Sequence, residues 1–100
     1  LITRIVKLYF HPDKVQDFLD CFEDVKHKVN QFEGCRGMKL MRSETEVGLF
    51  FTYSQWDSES ALENYRNSDT FKGLWSKIKP FFKEKAGAWT VADYYNGFNS

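Results

Sequence analysis

Apolar and polar side chains partly alternate from Ile2 to Phe10. Ile2, Val6, Leu8 and Phe10 share one phase, and Ile5 and Tyr9 the other. A period of two predicts a strand. His11-Pro12-Asp13 then break the pattern. Pro12 suits a first helical turn, and Asp13 suits the positive end of a helix. Val15, Phe18, Phe22, Val25 and Val29 follow at spacings of three and four. They predict one apolar stripe on a helix running to about residue 32. Asp17, Asp20, Asp24, His27 and Lys28 fall mostly on its other side. Gly34 is expected to stop that helix as a left-handed cap.

The alternation returns over residues 35–43 and, most clearly, over 47–56 (VGLFFTYSQW). Only Glu44-Thr45-Glu46 separates these two runs, so they are expected to pair as a hairpin. Asp57 or Ser58 is expected to cap a short helix that carries Ala61, Leu62 and Tyr65 inward. Ser68 is expected to cap the next, with Phe71, Leu74, Trp75 and Ile78 on one face and Pro80 near its end. After the basic stretch Lys83 to Lys85, residues 88–95 (AWTVADYY) read as a fourth strand. Residues 96–100 form a polar tail expected to fray.

The order is βαββαβ, which predicts a ferredoxin-like α+β fold. Right-handed crossovers place both helical segments on one face of a four-stranded antiparallel sheet. The other face has no helix to cover it, yet both faces are at least half apolar. Val47, Leu49, Phe51 and Tyr53 point one way, and Phe50, Thr52 and Trp56 the other. A sheet with one wet face should alternate more cleanly. A bare aromatic face exceeds what monomers usually expose. The expected solution is an isologous homodimer packed sheet to sheet, with Phe51 and Trp89 as interface candidates.

One hundred residues make a single domain, residues 1–100. Fourteen basic and fourteen acidic residues cancel and interleave, which argues against nucleic acid as a partner. No apolar run approaches a membrane span of about 20 residues. No leader pattern opens the printed sequence. Cys21 and Cys35 make no CxxC and read as free thiols, mainly small buried hydrophobes, in a reducing cytoplasm.

The motifs of several chemistries are missing from the sequence. His11 and His27 are its only histidines, and no HxH, HxxxH or HExxH spacing exists, so no metal site is expected. Neither GxSxG, nor GK[ST] after a glycine loop, nor GxGxxG occurs. What the sequence does carry is rings. Trp56, Tyr65, Phe71 and Trp75 are each placed where they can fill the core or enclose a flat apolar ligand between sheet and helices.

The stretch WDSESALENYRNSDTF, Trp56 to Phe71, resembles the signature of the antibiotic biosynthesis monooxygenase family. That signature has a Trp at the end of strand three, a capped helix with an Ala-Leu pair, a His, and a Ser-x-x-Phe element. IVKLYFHPDKVQDFLDCF resembles the family's first strand and helix, and FEGCRGMKL its approach to strand two. The resemblance covers nearly the whole chain and implies a dimeric α+β barrel. It implies two chemistries. One is cofactor-independent oxygenation of aromatic polyketides or quinols, in which the substrate anion supplies the electrons to dioxygen. The other is oxidative haem degradation, which needs an axial His and a strand-one Asn.

Matched position by position, Trp56 corresponds to the cavity-lining Trp of both groups. Tyr65 stands where many members have His. Trp75 stands where haem degraders place the axial His, and about Val6 where they place the Asn. A Trp does not ligate iron, so the expected reading needs no cofactor. Two functions follow from this. The first is a cofactor-independent monooxygenase of an aromatic polyketide- or quinol-like molecule, with its catalytic residues unassigned. The second is a non-enzymatic dimeric barrel that binds a small apolar ligand or serves a stress-related role.

Overall fold

The computed structural model describes residues 1–99. Its elements are β1 (Ile2–Phe10), α1 (Val15–Asn30), β2 (Cys35–Arg42), β3 (Leu49–Trp56), α2 (Glu59–Arg66), α3 (Asp69–Ile78) and β4 (Phe82–Val91). The four strands form one antiparallel sheet in the order β2-β3-β1-β4. This is the expected ferredoxin-like α+β arrangement.

Directly paired residues share a face, so register sorts the side chains. Val6 pairs with Thr52 and with Ala88, and Leu8 with Phe50. These point towards the helices. Ile5 pairs with Tyr53 and with Trp89, and Lys7 with Phe51. These point away. Leu8, Phe10, Val15, Phe18, Phe50 and Ile78 form the buried core between sheet and helices. Phe10 is its hub, stacked on Phe18 at a centroid distance of 4.2 Å and on Phe82 at 5.0 Å. The predicted stripe on α1 supplies its buried Val15, Phe18 and Val29.

Both serine caps form. Ser58 accepts from the Ala61 amide at 3.1 Å, and Ser68 from the Phe71 amide at 3.2 Å. Each is worth about 1 kcal/mol and fixes where a short helix starts.

Several boundaries differ from the sequence expectation. The first helix ends at Asn30, and Gln31 rather than Gly34 caps it. Gly34 is left-handed, with φ +86°, but it serves the turn into β2. The second strand stops at Arg42, because Ser43 turns back to accept from the Thr45 and Glu46 amides. The third begins at Leu49, because Gly48 (φ +90°) belongs to the turn. The fourth is the largest correction: it runs from Phe82 to Val91, not over 88–95. Its first half looks polar because it is an edge strand with Lys83, Glu84 and Lys85 exposed. Register shifts opposite Tyr9 then turn Phe82 inward against Phe10. Tyr94 and Tyr95 lie beyond the strand, exposed. Of the expected tail, residues 96–99 carry no helix or strand, and Ser100 lies outside the described residues.

Candidate functional site

A cavity of about 300 Å³ opens between the helix-facing side of the sheet and the three helices. That is the lower end of the range for small-molecule pockets. Trp56, Tyr65, Phe71 and Trp75 all line it. Three elements bring them together. Trp56 ends β3 on the inward phase. Tyr65 lies one turn beyond Leu62 on α2. Phe71 and Trp75 are four residues apart on α3, so they share a face.

The four rings form a continuous wall. Trp56 stacks on Tyr65 with centroids 4.9 Å apart. Tyr65 meets Phe71 edge to face at 5.3 Å. Phe71 stacks on Trp75 at 5.7 Å, with planes 14° apart. Phe32 supports the wall from behind, edge-on to both Trp56 and Tyr65. Such stacked and edge-to-face pairs gain from the ring quadrupoles as well as from burial.

Trp56 is 1% exposed, and its indole N–H donates to the Ser54 hydroxyl at 3.0 Å. Ser54 faces the same cavity two residues earlier on the strand. The indole N–H is therefore spent on Ser54 and is not free for a ligand. Burial, with a smaller contribution from the nearby Cys35 thiol, pushes the Tyr65 phenol up to about 12. Tyr65 is consequently a neutral donor at physiological pH, not a base. Burial also raises the Cys35 thiol, against a backbone hydrogen bond from Gly37 that lowers it. A thiol so shifted is a poor nucleophile.

Among the described residues, no imidazole or carboxylate lines the cavity; His11 and His27 are exposed elsewhere. Among the described residues, no three His, Cys, Asp or Glu side chains gather as a metal site requires. The lining therefore offers a haem iron no imidazole ligand, the donor that the family's haem degraders use.

The sequence reading missed two residues. Arg4 and Arg66 also line the cavity. The signal for Arg4 was present: it is a charged residue on the inward phase of β1, two before Val6. Arg66 follows Leu62 by four residues and so projects from the same side of α2. Arg4 donates to the Thr90 hydroxyl at 3.0 Å, which ties β1 to β4 beside the cavity.

The two dimer candidates, Phe51 and Trp89, lie together on the opposite sheet face. Trp89 is 52% exposed, Val91 41% and Met41 38%. Phe51 is half-buried. Lys39 and Lys7 interrupt this face and lie over the rings of Tyr53 and Tyr9 at 5.0 and 5.9 Å. The apolar surface is thus a strip through Phe51, Ile5 and Trp89, narrower than the alternation suggested.

The comparisons bear on the fold and the family. The model of the antibiotic biosynthesis monooxygenase family matches residues 1–74. A solved candidate antibiotic biosynthesis monooxygenase from Caulobacter crescentus CB15 is 25% identical. Its TM-score is 0.86, with 94% of this chain and 90% of that one covered. Another solved antibiotic biosynthesis monooxygenase is 16% identical, with a TM-score of 0.89 over 95% of this chain and 100% of that one. A protein from Methanosarcina mazei Go1 is 21% identical, with a TM-score of 0.84 over 91% of each chain. No curated protein matches. The last two likenesses speak to the fold alone, whereas the family model spans β1 through most of α3 and takes in Trp56, Tyr65 and Phe71. The chain belongs to the antibiotic biosynthesis monooxygenase family.

Proposed function

We propose that this chain is a cofactor-independent monooxygenase acting on an aromatic polyketide- or quinol-like molecule. The observation that carries the reading is the wall of four rings, Trp56, Tyr65, Phe71 and Trp75, around one cavity. Flat aromatic substrates pack against such a wall of rings, and ionised phenols or enols are reductants. In such chemistry the substrate loses a proton to solvent, and its anion transfers electrons to dioxygen. A carbon–oxygen bond then forms. Where a methylene becomes a carbonyl, the hydroperoxide loses water, so one oxygen stays in the product and the other leaves reduced. The four electrons come from the carbon centre, and no separate reductant is needed. The protein's part is an apolar enclosure that orders the substrate and limits water, and the neutral Tyr65 hydroxyl as a donor to developing negative charge.

Oxygen uptake with hydroquinones and anthrones, in the presence of a chelator, tests this reading. Uptake that falls in Trp56→Phe and Tyr65→Phe supports it. Uptake indifferent to both overturns the assignment of the site. The absence of an imidazole or carboxylate in the lining favours a second reading, a non-enzymatic barrel that binds a small apolar ligand. Saturable quenching of tryptophan fluorescence without product would point there.

The working unit proposed is a homodimer of single-domain chains, packed through the strip that holds Phe51 and Trp89. A cytoplasmic setting suits Cys21 and Cys35, both free thiols. None of the helices is long and apolar enough to cross a membrane, among the described residues. With no net charge, a nucleic-acid partner is not proposed.

A further inference from the structure

Two arginines line the cavity and, among the described residues, no carboxylate does. Arg4 and Arg66 are the charged residues of its lining. Both also line an adjoining surface groove, together with Glu59, Glu63 and Thr90. The arginines therefore stand where the groove meets the aromatic chamber. The two glutamates lie on the groove side.

Neither arginine is fully used by the protein. Arg4 makes one hydrogen bond, to the neutral Thr90 hydroxyl. Arg66 reaches Glu63 at 3.3 Å through one nitrogen, and Glu63 also accepts from Asn67 at 3.4 Å. A guanidinium has five N–H donors, so most of these remain. The pair is also mutually unfavourable: burial first, then the charge of Arg66, lowers the Arg4 guanidinium from its ordinary value, with Glu63 only partly opposing them. Like charges held beside an apolar chamber are relieved by an anion placed between them. Arginine suits this task, because its planar fork matches a carboxylate.

We infer that Arg4 and Arg66 select an aromatic ligand that carries a carboxylate, holding that group at the junction with the groove while the rings enclose its aromatic body. The inference rests on the proposed reading of the cavity as a ligand site and adds the chemical class of what enters it.

Calorimetric titration with two probes of one shape tests it: 2-naphthoate, which is charged, and 2-naphthamide, which is neutral. The wild type is expected to bind the naphthoate about tenfold tighter. Arg66→Gln and Arg4→Gln should each abolish most of that preference, weakening naphthoate far more than naphthamide. Arg66 is exposed at the end of α2, so its variant keeps the test valid even if Arg4→Gln unfolds. Equal affinity for the two probes, or a preference that survives both substitutions, overturns the arginine assignment and leaves the cavity reading standing. If neither probe binds, the cavity reading falls and takes this inference with it.

Discussion

The indole of Trp56 lies against the phenol ring of Tyr65, with centroids 4.9 Å apart and planes 27° from parallel. One residue ends a central strand and the other sits in the last turn of α2, so this pair fixes how the helix meets the sheet. Its orientation depends on Ser54, whose hydroxyl takes the indole proton at 3.0 Å.

Ser54→Ala leaves that buried indole N–H without a partner. Such a loss costs about 1–3 kcal/mol. Urea unfolding should record it as a lower midpoint at unchanged slope. Ligand affinity should fall too, since Trp56 is then free to tilt. A stability within about 0.5 kcal/mol of wild type would mean that water replaces the hydroxyl and that Ser54 does not orient the ring.

Tyr65 makes a pH signature. Its pKa is raised to about 12 in the fold, whereas a phenol in an unfolded chain ionises near 10. The unfolded state therefore releases this proton first. The stabilising contribution of the neutral phenol is intact below about pH 10 and is lost as pH rises through about 12. The melting temperature should drop more steeply over that window in wild type than in Tyr65→Phe. Parallel curves would show that the hydroxyl is better solvated than its position implies.

Gly34→Ala probes the seating of α2. Gly34 has φ +86°, and a Cβ there would lie 2.5 Å from the Cβ of Ala61. Its carbonyl accepts from the Asp57 amide at 2.8 Å, so the turn cannot swing away without breaking the approach to α2. A non-glycine residue in this backbone region costs about 1–3 kcal/mol. The clash adds to that and pushes Leu62 and Tyr65 out of register with the sheet. Chemical denaturation should show the loss, and tryptophan fluorescence should show a more solvated Trp56.

Trp89→Lys tests the dimer. Trp89 folds over Gly87 on the sheet face that no helix covers, and the missing Cβ of Gly87 leaves room for its ring. Burying an unpaired ammonium in an interface is costly. Sedimentation should give twice the 11.8 kDa chain mass for wild type and a monomer, or a destabilised species, for Trp89→Lys and Phe51→Lys. A wild type that sediments as a monomer removes the sheet-to-sheet interface altogether.

Much of this was legible in the sequence, and the remainder was hidden for physical reasons. The α1 stripe and the two serine caps follow from local rules, because spacing and capping act within one or two turns. The gathering of Trp56, Tyr65, Phe71 and Trp75 was suggested by their inward phases and by the family resemblance. The early half of β4 was hidden, because an edge strand leaves Lys83, Glu84 and Lys85 in water and its register shifts break the alternation. Gly34 was placed at the wrong turn, because a left-handed glycine reads the same whether it ends a helix or starts a strand. Arg4 was not singled out at all. Its inward phase was visible, but its meeting with Arg66 depends on how β1 and α2 pack, which no local pattern contains.

The most direct test of the account is isotope tracing with labelled dioxygen, ¹⁸O₂. Chelator-treated protein would be incubated with a panel of anthrones and hydroquinones, and the products weighed by mass spectrometry. One labelled oxygen per product molecule is expected, at a rate that falls at least tenfold in the double variant Trp56→Phe with Tyr65→Phe. Unlabelled products throughout the panel, or labelling at the same rate in the double variant, would contradict it.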